Sequence, residues 1–269
     1  MKYDLFISDF DGTLGKAPDS ISKENIDAIK EYTENGGVFA ICTGRMFCSI
    51  RDICVSYGIK GIVAAYQGAM IKDMETEETI FNGGLDVHTA IEVIDSLMKD
   101  GIQVTVDIDD IMYYQTHSKF IDLYEEACRV KGVQVNDLKG LVELYNKPVS
   151  KVMGMCSNEI MDSLTERYYQ KFKGKKVAFN SGAKFLFECI NPDCSKQFAV
   201  EKIAEYYGVP LDKVLAVGDS TNDIPLINGE WHGVAVGDAH PSLKAVADEI
   251  TAPFDEHPIK VLLEKYCLR

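Results

Sequence analysis

Asp9 and Asp11 lie two residues apart, directly before Gly12 and just after the apolar run Leu5-Phe6-Ile7. Residues i and i+2 of a strand point the same way, so both carboxylates can reach one site where the chain leaves the strand. One can attack phosphorus. The other can protonate the departing oxygen and then take the proton from the water that hydrolyses the acyl phosphate. Gly12 permits a sharp turn that faces nearby amides toward phosphate oxygens. Three further segments supply what such chemistry needs. Thr43-Gly44-Arg45 offers a hydroxyl and, at Gly44, an amide near a helix start. Lys196 offers a point charge for a developing phosphoryl charge. Gly218-Asp219-Ser220-Thr221-Asn222-Asp223 adds two more carboxylates. Crowded carboxylates repel unless a cation joins them, and oxygen ligands without imidazole or thiolate beside them select magnesium. Asp9 and Asp219 can each give that ion one oxygen, which keeps Asp9 ionised for attack and sets it apart from Asp11. Singly, each segment is ordinary loop chemistry; their order and their places at strand and helix ends point to a shared site.

Those places follow from the pattern of apolar residues. A strand over 3–8 is followed by a helix that starts at Ser22, puts Ile26, Ile29 and Tyr32 on one face and stops at Gly36-Gly37. A strand over 38–42, a helix over 46–57 and a strand over 61–66 come next. The same rhythm returns with a helix over 196–207, a strand over 213–217, a short helix near Asn222, a strand over 233–236 and helices from Pro241 and Pro258. Strands separated by helices imply right-handed crossovers and a parallel sheet, whose ligands bind beyond the carboxyl ends of the strands. The middle of the chain differs: it reads as helix, two strands, helix, strand, helix, two strands. Strands over 103–107 and 111–115, joined by the polar turn Asp109-Asp110, suggest an antiparallel sheet. The spacing thus predicts an α/β core over 1–84 and 186–269, interrupted by an α+β domain over 85–185. Glu75-Thr76-Glu77-Glu78 reads as a solvated hairpin turn.

Composition narrows the class. Of 269 residues, 46% are hydrophobic, enough for a core. No run approaches the ~20 apolar residues of a membrane helix, and the first residues lack the features of a signal peptide, so a cytoplasmic protein is expected. The eight cysteines contain no Cys-x-x-Cys pair and read as buried free thiols; the five histidines show no ligand spacing. A formal net charge of −14 argues against nucleic acid or an anionic membrane as partner. It also means that a site for an anionic phosphate must overcome the overall field locally.

The four segments closely resemble the motifs of the haloacid dehalogenase superfamily. Asp9-Phe10-Asp11-Gly12-Thr13-Leu14 is similar to its first motif, Ile41-Cys42-Thr43-Gly44-Arg45 to the second, Ser195-Lys196 to the third and the segment from Gly218 to Asp223 to the fourth. The insert resembles in place and pattern the large α+β cap of the Cof-type, class IIB (C2B) phosphatases. The resemblance covers essentially the whole chain. It implies a Rossmann-like core with a mobile cap, and a magnesium-dependent phosphatase of small phosphorylated metabolites such as sugar phosphates. It further implies Asp9 as nucleophile, Asp11 as acid and base, and Thr43 and Lys196 on the phosphate, with Phe10, Gly44, Arg45 and Asn222 in the same phosphate-binding set. The magnesium would rest on Asp9, Asp219 and the main-chain carbonyl of Asp11. Asp223 would bind it directly or through water, or would hold Lys196. The acid at Asp11 separates the chain from the dehalogenases and from the P-type ATPases of the superfamily. Two positions depart from the commoner Cof-type pattern: Gln67 stands where asparagine is frequent, and Gly237-Asp238-Ala239 where Gly-Asn-Ala is.

Two rival functions share this frame. A phosphomutase has the same core and cap type but must hold a phosphorylated intermediate away from water, and no arginine cluster in the insert demands that. A catalytically silent phosphate-ester binder would need no acid at Asp11. A nucleotide-binding dehydrogenase is a weaker rival still, since no Gly-x-Gly-x-x-Gly follows a strand. The partner expected is a small phosphorylated metabolite.

Overall fold

The computed structural model describes residues 1–16, 20–181 and 185–268. The chain divides into two compact units, Met1–Phe81 with Ser195–Arg269, and Asn82–Cys194.

The first unit is built on an eight-stranded sheet. Its order is Glu249–Ile250, His232–Ala235, Val214–Gly218, Leu5–Ser8, Val38–Cys42, Ile62–Ala65, Met70–Asp73, Thr79–Asn82. The first six strands run parallel; Met70–Asp73 is antiparallel to its neighbour. Leu5–Ser8 and Ile62–Ala65 are buried along their whole length, as central strands covered on both faces must be. Helices at Lys23–Glu34, Phe47–Ser56 and Lys196–Tyr207 alternate with the strands, and the side chains of Ser22 and Ser195 cap the first and third. The chain steps from Leu5–Ser8 to Val38–Cys42 on one side, while Val214–Gly218 docks on the other. The reversal of strand order therefore falls at Leu5–Ser8, and Asp9 is the next residue. In such sheets the crevice for a ligand opens at that point.

The second unit holds a six-stranded sheet in the order Val133–Gln134, Ile111–Tyr114, Gln103–Ile108, Lys151–Met155, Leu186–Ile190, Ala178–Ser181, antiparallel except for the first pair. Asp109 and Asp110 both adopt positive φ, 51° and 65°, the two-residue turn that matches the twist of a hairpin. Two features differ from the sequence reading. The insert does not end at 185, because Leu186–Ile190 pairs with Lys151–Met155 and is a strand of the second sheet. Its other five strands are joined by a parallel edge strand, Val133–Gln134, whose two residues are exposed and too few to show an alternation.

Behind the apolar core of this unit, gathered around Val93, Ile94, Leu97, Val106 and Phe187, lies a charge cluster that no motif announces. Lys151 is buried; its Nζ is 2.8 Å from Glu188 Oε1, 3.3 Å from the Tyr124 hydroxyl and 3.9 Å from Asp107 Oδ2. Among the described residues, neither oxygen of Asp107 has a hydrogen-bond partner. Burial, against the opposing pull of Lys151, pushes its carboxyl up to about 7. An acid with a raised folded-state value weakens the fold once it must ionise, so stability contributed by the neutral form is present at low pH and is lost as pH rises toward 7. Asp107→Asn should therefore raise the unfolding temperature at pH 8 and flatten the decline between pH 5 and pH 8 followed by thermal unfolding. An unchanged pH profile would contradict the assignment.

Candidate active site

Asp9 leaves the sheet where its amide donates to the carbonyl of Val217, 2.9 Å away on the neighbouring strand. The chain then folds tightly back: the carbonyl of Phe10 accepts from the amides of Thr13, Leu14 and Gly15. This turn buries Phe10 completely, so its ring is out of reach of a ligand. Gly12 has φ +84°, and a Cβ there would come within 2.6 Å of Asp219 Oδ2. Glycine is required twice over, for the left-handed backbone and for the approach of the turn to Asp219. Among the described residues, the amides of Phe10, Asp11 and Gly44 donate to no protein group.

Lys196 opens its helix with the ammonium buried, 2.7 Å from Asp9 Oδ1 and 2.6 Å from Asp223 Oδ1. Burial alone would lower its proton affinity, but Asp223 and Asp9 hold it well above the usual lysine range. Asp223 is fastened from both sides. Its Oδ2 accepts from the amides of Asp219 and Ser220 at 3.1 and 3.0 Å, and Ser220 and Asp223 close a capping box at the turn Thr221–Asp223. Asp219 is half-buried and accepts from the Thr13 hydroxyl at 3.3 Å. Ligand oxygens of Asp9, Asp219 and Asp223 lie within 4.8 Å of one another. Three carboxylates stand here against one ammonium. Burial, and next the charge of Asp223, push Asp9 well above the ordinary carboxylate value, and the same two causes push Asp219 up to about 6. Such a set relaxes when a cation enters it, and its all-oxygen donors suit a hard divalent ion.

Other expected residues fall differently. Thr43 is buried, and its Oγ1 accepts from the Arg45 amide at 3.2 Å, which leaves the hydroxyl proton free to donate. Arg45, read from sequence as a phosphate contact, has its guanidinium on Asp11: Nε to Oδ2 is 2.8 Å and a terminal nitrogen to Oδ1 is 2.6 Å. The same guanidinium lies 5.1 Å from the centre of the Phe10 ring. Asp11 is thus brought to the edge of the site, half-exposed, and its side chain is outside the metal-ligand group. Asn222 is exposed and forms no side-chain bond to the group. Asp238 is exposed and accepts from the Phe254 amide at 3.0 Å, a turn-closing role. The Arg45–Asp11 pair escapes a sequence reading because 34 residues separate the partners and nothing in either segment names the other.

The profile of the haloacid dehalogenase-like hydrolases matches residues 6–263. Among curated proteins, the chain is 25% identical to phosphatase YwpJ of Bacillus subtilis, over 97% of this chain and 98% of that one. It is also 25% identical to the 5-amino-6-(5-phospho-D-ribitylamino)uracil phosphatase YwtE of the same organism, over 96% of each. Among solved structures, the HAD subclass IIB sugar phosphatase BT4131 superposes with a TM-score of 0.79 at 19% identity, covering 99% of this chain and all of that one.

The close approach at Gly12 and the raised acids give a joint prediction. Gly12→Ala should push Asp219 aside and weaken divalent-ion binding by at least tenfold, read as the magnesium concentration that half-saturates a thermal shift. In the unsubstituted protein that shift should shrink as pH falls through 6, because protons then compete for Asp219. Equal magnesium response at pH 5 and pH 8 would contradict the placement of the ion. The core with its metal-ready carboxylates, the six-stranded second sheet and the matched profile agree, and the chain belongs to the haloacid dehalogenase-like hydrolases.

Proposed function

We propose that this chain, a phosphatase of the haloacid dehalogenase-like hydrolases, removes phosphate from a small phosphorylated metabolite through an aspartyl-phosphate on Asp9, with magnesium as its cofactor. The observation that carries the reading is the buried Lys196 ammonium shared by Asp9 and Asp223 beside the half-buried Asp219. A purely structural use of three carboxylates and one lysine would leave an excess of buried negative charge without compensation.

Each residue has a definite task in this reading. The bond from Lys196 fixes the rotation of the Asp9 carboxylate and aims it out of the sheet. Asp9 attacks phosphorus in line with the leaving oxygen and forms the acyl phosphate. The free amides of Phe10, Asp11 and Gly44, the Thr43 hydroxyl and the Lys196 ammonium are donors for the transferring phosphoryl group. Asp219 and Asp9 would hold the magnesium through side-chain oxygens and, as the resemblance implies, Asp11 through its carbonyl; the ion would supply positive charge to the phosphate and to the crowded acids. Both oxygens of Asp223 already accept strong hydrogen bonds, which favours its holding Lys196 and the Asp219 loop over direct ligation. Asp11 gives a proton to the leaving oxygen and later takes one from water. Both of its oxygens accept from Arg45, so the guanidinium fixes where this carboxyl points.

The test is phosphate release from a panel of esters that includes sugar phosphates and 5-amino-6-(5-phospho-D-ribitylamino)uracil. Asp9→Asn should cut turnover by roughly a thousandfold or more, with the unfolding temperature kept because the substitution removes a charge from a crowded group. A chelator should abolish activity and magnesium restore it, and calcium should inhibit because its looser shell draws in extra ligands and misplaces Asp9. Wild-type turnover by Asp9→Asn, or full activity in chelator, would refute the reading.

A further inference from the structure

Tyr66 and Gln67 are consecutive non-glycine residues in the left-handed region, with φ of 53° and 59°. Such backbone persists only where the surroundings over-determine it, and it gathers at functional sites. Here the surroundings are two segments of the site itself. The Tyr66 amide donates to the Arg45 carbonyl at 3.0 Å, and the Gln67 amide to the Thr43 carbonyl at 2.9 Å. On the other side, Gly68 sits so close to the start of the Lys196 helix that a Cβ there would come within 2.5 Å of the Ser195 carbonyl oxygen. The turn is wedged between the loop that bears Thr43 and the residue before Lys196.

What this turn presents is the Gln67 side chain. Its carboxamide nitrogen lies 2.6 Å from where a Cβ of Gly44 would stand, so the amide rests directly on the phosphate-loop glycine. Gln67 is partly exposed, and among the described residues its carboxamide makes no hydrogen bond to protein. A side chain kept for packing or for bracing would spend that amide on the protein. A strained backbone that leaves the amide free beside Gly44 serves a ligand. We propose that Gln67 is a substrate-contacting residue whose carboxamide donates a hydrogen bond to an oxygen of the phosphate ester held at Gly44. The chemistry fits: phosphate oxygens are acceptors, and an amide adds donors without charge to a site already crowded with carboxylates. The assignment rests on the phosphatase reading above.

The experiment uses the full chain with magnesium and inorganic phosphate as a competitive probe, alongside kcat/KM on the best ester of the panel. Gln67→Gly is the decisive variant, because φ of +59° is native to glycine and the turn is kept while the amide is lost. It should hold the unfolding temperature and the magnesium response, yet weaken both phosphate inhibition and kcat/KM about five- to tenfold, the size of one hydrogen bond. Gln67→Glu should lose more, since a carboxylate repels phosphate, and Gln67→Asn, which keeps an amide and tolerates positive φ, should recover part of the loss. Inhibition and kcat/KM within about twofold of wild type in Gln67→Gly would overturn the proposal, with or without a change in unfolding temperature. That failure is distinct from failure of the phosphatase reading, which would appear as no ester hydrolysed by the wild type or as full turnover in Asp9→Asn.

Discussion

A lysine ammonium buried between two aspartates organises the core of this protein. Lys196 is nearly inaccessible, and so are Asp9 and Asp223 on either side of it. Removing the lysine would leave two buried carboxylates without a cationic partner, at a cost of about 3–5 kcal/mol. The fold therefore has to deliver three segments to one point: the exit of Leu5–Ser8, the first turn of Lys196–Tyr207 and the turn after Val214–Gly218. Parallel pairing of Leu5–Ser8 with Val214–Gly218 sets the first against the third. The Ser195 cap sets where the lysine helix begins. Asp223 then ties the second to the third, accepting from Lys196 with one oxygen and from two backbone amides with the other.

This arrangement leaves an excess of negative charge, and the excess shapes the rest of the site. Asp219 adds a third carboxylate near Asp9 and Asp223, so that acids outnumber the ammonium and a cation has a place prepared for it. The turn after Asp9 brings free amides and Gly12 to the same edge. Arg45 is paired with Asp11, and its guanidinium lies 5.1 Å from the centre of the buried Phe10 ring. That pairing keeps the second acid of the Asp9/Asp11 pair apart from the first and ties its freedom to the motion of one arginine.

Much of this was legible in the sequence because the residues concerned sit at ends of strongly patterned elements. A strand buried on both faces, such as Leu5–Ser8 or Val214–Gly218, reads as an unbroken apolar run, and the polar residue that follows it is at once a candidate. Asp9, Thr43 and Asp219 could be placed near one edge on that ground, and Lys196 and Asp223 from their places at helix starts. Relations across distant segments could not. The Arg45–Asp11 pair, the Lys151 cluster with Glu188 and Asp107, and the contact of Gln67 with Gly44 depend on tertiary approach and on left-handed backbone at a residue that normally avoids it. The end of the insert was misplaced for a related reason. Leu186–Ile190 is an apolar run that either sheet could accept, and only its pairing with Lys151–Met155 assigns it.

The central claim is that Asp9 takes the phosphoryl group onto its own carboxylate. The most direct measurement is acid quenching of the magnesium-loaded enzyme during turnover of its best ester, followed by mass spectrometry of the peptide that spans the first turn. The account predicts a phosphorylated peptide with the modification on Asp9, absent when substrate is omitted. Turnover with no trapped phosphoryl group at any quench time, or a phosphoryl group on another residue, would contradict it.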